Sequence, residues 1–187
     1  VTTIEAYAFT NNRELLTLKI PASVTTIGAY AFTYCRKLTT VTNLTKVRRF
    51  EEGVFSNCFN LSSIYAGDVH YFGTKAFSNC SNLKTVSTRA LREMGDSVFY
   101  KCTSLQEISI PNKVKSIGKQ TFYGCTALKR ISFTSAVTAI GDAAFYDCKA
   151  LSGVYYGGTE EQWSAITIGA NNGYLTNAAR HYNSLSF

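Results

Sequence analysis

A sequence repeat of 22 to 23 residues begins at the first residue of this chain and limits it to a small set of folds. Six residues after each repeated Phe is a Leu, and three residues after it is a Cys in every unit except the first, which has Asn12. The unit reads V-x-x-I-G-x-x-A-F-x-x-C-x-x-L-x-x-V-x-I. A fixed period of this length is typical of solenoids, in which each unit packs only against its neighbours. The repeated phenylalanines are Phe9, Phe32, Phe55, Phe77, Phe99, Phe122 and Phe145.

The apolar pattern within the unit predicts the shape of one coil. In each unit a Leu is followed by Val or Ile three residues later and by an apolar residue two further on. This pattern, together with the repeat length of 22 to 23 residues, is typical of leucine-rich repeats, in which each unit adds a short strand to a parallel sheet. Alternation with a period of two predicts that Val86 points inward while Thr85 and Ser87 point outward. We expect V-x-x-I-G to form a second extended edge and G-x-x-A-F-x-x-C to form a tight helical turn. The predicted fold is α/β, a right-handed leucine-rich-repeat solenoid of about seven units with a parallel sheet.

Stacking is what stabilises such an array, because a single unit exposes apolar surface on both sides. Burying that surface contributes roughly 25 cal/mol per Å². Three middle units depart from the pattern at its last apolar position, with Asn43, Ala66 and Thr88. We expect the stack to bend or loosen at these units.

The two ends of the repeat differ. The leucine-rich repeats extend over residues 1–156, and residues 157–187 are predicted to form a C-terminal cap. Thr159 and Gln162 fit a capping box that opens a short helix, and Trp163, the single Trp of the sequence, follows them. The chain starts within a repeat unit, so we expect the intact protein to be longer.

All six cysteines occupy the same position in the repeat. An even number of Cys often indicates disulfides. Side chains in one column point the same way, however, and parallel Cβ vectors do not give disulfide geometry. We predict six free, buried thiols that donate to backbone carbonyls, a role that Asn12 can also fill in the first unit. No C-x-x-C occurs, and His70 and His181 are far apart in sequence, so no metal site is expected.

The usual motifs of catalysis and cofactor binding do not occur. The sequence has no G-x-G-x-x-G, no P-loop and no H-E-x-x-H. The acidic pairs Glu51-Glu52 and Glu160-Glu161 are adjacent residues, whose side chains point in different directions. We therefore predict no enzyme and no cofactor. No apolar run reaches the roughly 18 residues of a membrane span. The formal charge of +7 favours acidic partners but is well below that of a basic tail, and no nucleic-acid partner is predicted.

Three columns of side chains are candidates for ligand binding, because a solenoid repeats each position about every 5 Å. Seven residues before each Phe, the middle units carry a basic stripe that could bind an acidic protein or glycan, although a merely solvated face is the simpler interpretation. One residue after each Phe, the last three units carry Tyr, which could present rings to a sugar or an apolar partner or could pack between coils. The outward positions of the sheet are mostly small and hydroxylated, with two tyrosines that could contact a docked ligand. The candidates are Arg48, His70, Arg92 and Lys115 in the stripe, Tyr100, Tyr123 and Tyr146 in the column, and Tyr65 and Tyr155 on the sheet.

The unit V-T-T-I-G-A-Y-A-F-T-Y-C-R-K-L-T-T-V at residues 24–41, repeated across residues 1–156, resembles the BspA-type leucine-rich repeats. The segment Y-Y-G-G-T-E-E-Q-W at residues 155–163 and the later H-Y-N also resemble the closing segment of such proteins from gut-dwelling bacteria. The resemblance implies a cell-surface or secreted protein, and some members of the family act as adhesins for host matrix proteins or other bacteria. It implies no ligand residues, because the shared positions belong to the core.

The leading hypothesis is a non-enzymatic binding module at the cell surface or secreted, with a protein or glycan on host or bacterial surfaces as its partner. The alternative is a passive spacer that projects another domain and has no ligand of its own.

Overall fold

Each coil contributes one short strand to each of two faces. In the computed structural model, which describes residues 1–186, the coils form a parallel-sheet solenoid of about eight turns. The predicted solenoid and parallel sheet are confirmed. Numbered along the chain, the elements are β1 (Thr3–Ile4), β2 (Thr17–Lys19), β3 (Thr26–Ile27), β4 (Thr40–Thr42), β5 (Arg49–Phe50), β6 (Ser63–Tyr65), β7 (Tyr71–Phe72), β8 (Thr85–Ser87), β9 (Glu93–Met94), β10 (Glu107–Ile110), β11 (Ser116–Ile117), β12 (Arg130–Thr134), β13 (Ala139–Ile140), β14 (Gly153–Gly157), α1 (Glu160–Ser164), β15 (Thr167–Ile168), α2 (Gly173–Asn177) and β16 (Ala179–Tyr182).

The even-numbered strands form one face, which we call the sheet face, and the odd-numbered strands form the second face. Within each sheet, neighbouring strands pair in parallel and in the register of the repeat, so that Thr40 lies opposite Ser63 and Ser63 lies opposite Thr85. The strands of the second face form three such sheets, β1-β3, β5-β7-β9 and β11-β13-β15. The V-x-x-I-G segments supply the second face, as predicted. Apolar side chains of both faces point between them and form one continuous core.

The sheet face is divided where Thr88 replaces an apolar residue. β2, β4, β6 and β8 form one hydrogen-bonded sheet, and β10, β12, β14 and β16 form another. Thr88 is buried, and its hydroxyl donates to the carbonyl of Ser109 at 2.5 Å. A buried hydroxyl must find a partner, and this one takes a backbone acceptor of the neighbouring coil. At Thr88 the expected loosening of the stack is therefore a local break in the ladder between two coils. The units of Asn43 and Ala66 show no such break, since β4, β6 and β8 pair continuously.

The segment around each Phe is not helical, and the expected helical turn is wrong. It is a run of tight turns in which alternate N–H groups bond within the coil and to the next coil. Tyr30 and Phe32 donate to the carbonyls of Glu52 and Val54, whereas Thr33 donates to Tyr30 of its own coil at 3.1 Å. The parallel ladder therefore continues through the turns.

Left-handed backbone conformations cause this difference from a helix. Residues two before and two after each Phe have positive φ, which an α-helix of L-residues excludes. These residues are Tyr7, Tyr30, Gly53, Lys75, Ser97, Gln120 and Ala143 before the Phe, and Asn11, Tyr34, Asn57, Asn79, Lys101, Gly124 and Asp147 after it. Asn, Gly or Asp occupies five of the seven positions after the Phe, and this enrichment is the sequence signal for the conformation.

Two internal columns hold the coils together. The phenylalanine rings stack from Phe9 to Phe145 with centroids 5.2 to 5.9 Å apart. Beside them, the six cysteines are free and buried, and each Sγ donates to the carbonyl of a Phe in the preceding coil at 3.1 to 3.3 Å. The predicted column of buried thiols is confirmed.

Residues 157–186 form a further coil rather than a separate unit. β15 pairs with β13, and β16 pairs with β14. The predicted capping box is present, since Gln162 N–H donates to Thr159 Oγ1 and Thr159 N–H donates to Gln162 Oε1. Trp163 on α1 packs against Phe133 and Tyr156, with ring centroids 5.8 and 5.4 Å away.

Asn172 completes the hydrogen bonding of the last repeat. In the preceding coil, Phe122 N–H donates to the carbonyl of Ala144. The equivalent N–H of Phe145 donates instead to Oδ1 of Asn172 at 3.0 Å, while Nδ2 of Asn172 donates to Gly141 O. Asn172 is buried, so its side chain substitutes for the backbone of a next coil.

Candidate functional site

The chemistry of the buried thiols opposes a catalytic role. Burial raises the pKa of the cysteines, in the case of Cys148 to about 12. A thiol of high pKa carries little of the reactive thiolate. Within residues 1–186, no group of three His, Cys, Asp or Glu side chains could hold a metal ion.

The acidic pair Glu51-Glu52 is engaged in separate contacts. Glu51 forms an ion pair with Arg49 at 2.9 Å, and Glu52 accepts a hydrogen bond from the hydroxyl of Tyr30. The two carboxylates point apart, as expected for adjacent residues. Neither is arranged for acid-base work with the other.

The basic stripe, Arg48, His70, Arg92 and Lys115, lies along the second face. Each residue immediately precedes a strand of that face, in four consecutive coils. His70 N–H donates to Arg48 O at 2.7 Å, and Arg92 N–H donates to His70 O at 2.8 Å. Arg48, Arg92 and Lys115 are exposed, and His70 is half-buried. The repeat thus places four basic side chains in one column. Arg48, His70 and Arg92 precede strands that pair at the usual spacing of about 4.8 Å, whereas Lys115 precedes β11, which belongs to a separate sheet.

Electrostatics within the stripe act most clearly on His70. Its pKa is lowered by partial burial and by the positive charges of Arg92, Arg48 and Lys113, against a smaller opposing effect of Asp68. Like charges disfavour the protonated imidazole. A negatively charged partner placed on the stripe would raise this pKa again.

A shallow depression of about 540 Å³ borders the stripe. Arg92, Lys113 and Lys115 line it together with Tyr71 and the carboxylate of Glu93. Three cations therefore surround one anion, and the depression presents an excess of positive charge to solvent.

The tyrosine column packs on itself. Tyr100 stacks on Tyr123 with centroids 4.9 Å apart and planes 17° apart, and Tyr123 stacks on Tyr146 at 4.9 Å and 19°. These contacts favour the interpretation as packing between coils. Both faces of Tyr123 are occupied, whereas Tyr146 is 45% exposed.

The two tyrosines of the sheet face are not brought together. Tyr65 in β6 is 71% exposed, whereas Tyr155 in β14 stacks on His181 at 4.4 Å. β8, β10 and β12 lie between them, and the sheet is divided within that span. They do not form a single subsite.

The sequence does not predict a depression that the structure shows on the turn edge of the coils. It measures about 480 Å³ and lies between Tyr30 and Tyr100, with Ser56 and Ser78 at its base. The available signal was the change from Tyr to Ser along the position that follows each Phe.

In the described part of the chain, no helix is both long and apolar enough to cross a membrane. This finding agrees with the short length of α1 and α2, five residues each.

Comparison with known proteins identifies one sequence family. The model for the BspA type leucine rich repeat region matches residues 2–103 and 92–162, with six copies of the repeat. Among curated proteins, none matches the chain.

Several solved structures are similar. A leucine rich cell surface protein from Faecalibacterium prausnitzii A2-165 is 34% identical over 89% of this chain and 54% of that one, with a TM-score of 0.68. A leucine-rich repeat protein from Bacteroides ovatus is 25% identical over 97% of this chain and 54% of that one, with a TM-score of 0.73. One from Eubacterium ventriosum shares the fold at 22% identity over 100% of this chain and 47% of that one, with a TM-score of 0.75. The chain spans about half the length of these proteins.

Proposed function

Because this chain belongs to the BspA-type leucine-rich-repeat family, we propose that it is a non-catalytic binding module of a cell-surface or secreted bacterial protein. It binds an acidic protein or glycan on host or bacterial surfaces through the basic stripe. The repeat module is of the bacterial surface-protein type, and the similar protein from Faecalibacterium prausnitzii is described as a cell surface protein.

The observation that carries the proposal is the placing of Arg48, His70, Arg92 and Lys115 in one column of consecutive coils. The outer units have Thr at this position, at Thr2, Thr25 and Thr138, so the charge is confined to the middle of the array. The cations Arg48, Arg92 and Lys115 can each face a negative group of a linear polyanion. His70 lies between them and gains a proton more readily once an anion offsets the neighbouring positive charges that lower its pKa. Complementary charge of this kind increases association rate and specificity.

The test is charge reversal with a matched control. The variant Arg48→Glu/Arg92→Glu/Lys115→Glu reverses the charge of three stripe residues and leaves His70 in place. The control Lys19→Glu/Lys84→Glu/Lys129→Glu makes the same change of net charge at exposed positions of the sheet side. Binding to immobilised heparin, a sulfated glycan, and to poly-glutamate, an acidic polypeptide, is measured by biolayer interferometry at two salt concentrations. The stripe variant is expected to weaken binding by at least about tenfold, which corresponds to about 1.4 kcal/mol.

Salt provides a second readout, because the Debye length falls from about 10 Å at 0.1 M to about 3 Å at 1 M. Binding through the stripe should weaken steeply over this range. Equal losses in the two variants would show a nonspecific charge effect. Absence of binding to both polyanions would instead support the passive spacer.

A further inference from the structure

The position that follows each Phe changes character in the middle of the array. Tyr100, Tyr123 and Tyr146 form a stack of rings, with neighbouring centroids 4.9 Å apart. In the two preceding coils the same position holds Ser78 and Ser56, which cannot continue the stack. The depression on the turn edge, about 480 Å³, lies at this point. We call it the turn groove. Its volume falls within the range of about 300 to 1,000 Å³ that is typical of small-molecule sites.

Tyr100 forms one end of the turn groove. It is the first ring of the stack, it contacts Tyr123 on one side, and it also lines the groove. The neighbouring Lys101 extends toward the following coil, since its Cγ lies 3.1 Å from where a Cβ on Gly124 would be. Nζ of Lys101 nevertheless lies over the ring of Tyr100, 5.4 Å from its centroid. Lys101 is exposed, so a flat group that stacks on Tyr100 must displace this side chain.

Tyr30 is held rigidly at the other end. Its ring covers Gly53, where an added Cβ would lie only 2.2 Å from Cε1 of the ring. The hydroxyl of Tyr30 donates to Glu52, which raises the pKa of the phenol to about 12 and keeps it neutral. A fixed aromatic wall requires little ordering when a ligand binds.

The base of the turn groove is polar and uncharged. Nδ2 of Asn79 donates to Oδ1 of Asn57 at 2.9 Å, and Nδ2 of Asn57 donates to Oγ of Ser56 at 3.3 Å. This chain of hydrogen bonds fixes the orientation of both amides beside the Ser78 hydroxyl. Among the described residues that line the groove, the single charged side chain is Lys75, and none is a carboxylate.

We propose that the turn groove binds an uncharged pyranose sugar, whose C–H face stacks on Tyr100 and whose hydroxyls bond to the Ser and Asn side chains. The aromatic face attracts C–H groups because of its negative quadrupole. Hydroxyl and amide groups offer both donors and acceptors, as the several hydroxyls of a sugar require. The site lies on the turn edge, apart from the basic stripe, and is independent of the function proposed above.

The test uses ¹⁵N-labelled protein titrated with methyl glucoside, methyl galactoside, methyl mannoside, lactose and maltose at millimolar concentration. At least one sugar is expected to shift the amide resonances of Ser56, Ser78 and Asn79 in a saturable way. Ser78→Tyr extends the ring stack into the groove and should abolish these shifts. Tyr100→Ala should weaken binding by at least about fivefold through loss of the stacking surface.

Tyr146→Ala is the matched control, because it removes a ring from the far end of the same stack and leaves the groove unchanged. It should bind the sugar as the unaltered protein does. Thermal melting by circular dichroism checks that each variant is folded. Shifts with N-acetyl-tyrosine amide but with none of the sugars would overturn the proposal. So would the absence of any shift, or equal binding by a folded Ser78→Tyr variant.

Discussion

Truncation of Phe77 is the sharpest test of the stacked core. The side chain is fully buried, and its ring stacks between Phe55 and Phe99 with centroids 5.9 and 5.6 Å away. Two further rings, Phe50 and Phe72, contact it in T-shaped arrangements, with centroids 5.7 and 5.3 Å away. Phe77→Ala therefore leaves a cavity bounded by four aromatic rings, which cannot close without moving two coils.

The expected cost is about 4 kcal/mol, within the range for Phe→Ala substitutions in cores. Phe9 provides an internal comparison, because its ring is 43% exposed and stacks on Phe32 alone. Since the Phe9 ring removes less apolar area from water than a fully buried ring, Phe9→Ala should cost about 2 kcal/mol or less. If the urea dependence of the unfolding free energy is about 2 kcal/mol/M, the unfolding midpoint falls by about 2 M for Phe77→Ala and about 1 M for Phe9→Ala.

Urea unfolding of both variants is followed by far-UV circular dichroism and by the fluorescence of Trp163, the single Trp of the chain. Circular dichroism reports on all coils and Trp163 on the last one. Equal midpoint shifts for Phe77→Ala and Phe9→Ala would refute the argument, because burial between two neighbours would then have no energetic consequence. A destabilisation below about 1 kcal/mol for Phe77→Ala would do the same.

Three further predictions concern pH, the final coil and the thiols. The pKa of His70, measured by NMR titration, should lie below its ordinary value and should rise in Arg92→Ala; an unchanged pKa in the variant would contradict the assigned cause. Because the lowered pKa means that the unfolded chain binds the proton more tightly than the folded one, the free energy of unfolding should fall as the pH is lowered through the ordinary pKa of His toward that of His70. Trp163→Ala should lower the free energy of unfolding by about 3 kcal/mol in circular dichroism if residues 157–187 cap the stack, and a change near zero would contradict that expectation. The six thiols should react with a disulfide reagent only as fast as the protein unfolds in urea, since they are buried and their pKa values are raised; fast reaction of the folded protein would refute this.

The repeated core could be predicted because its signal is local and recurs in every unit. Phe, Cys and Leu at fixed spacing specify which side chains face inward, and stacking then follows from the burial of apolar surface. The capping box at Thr159 could also be predicted from the sequence, since its two hydrogen bonds join residues that are three apart. The cysteine column could be predicted because all six Cys occupy the same position of the repeat, and residues at one position of a repeat point the same way.

The turns were mistaken for a helix because short spacings suit both structures. Ala31, Phe32 and Cys35 have an apolar spacing compatible with a helical turn, yet Tyr30 and Tyr34 have φ of 56° and 59°. What stabilises this backbone is the next coil, whose carbonyls accept the alternate N–H groups. A local pattern does not contain those acceptors, which lie about one repeat away in sequence.

Residues at fixed spacing were enough to predict the period, the core columns, the free thiols and a basic stripe at one position of the unit. Only the folded chain shows that Asn172 completes the last repeat, that the sheet face divides after β8, and that Tyr65 and Tyr155 lie apart. It also shows the groove that opens where the stack of rings ends at Tyr100 and gives way to Ser78 and Ser56. The physical reason is the same in each case. A repeat specifies what every coil has in common, whereas these features depend on the particular side chains that neighbouring coils place in contact.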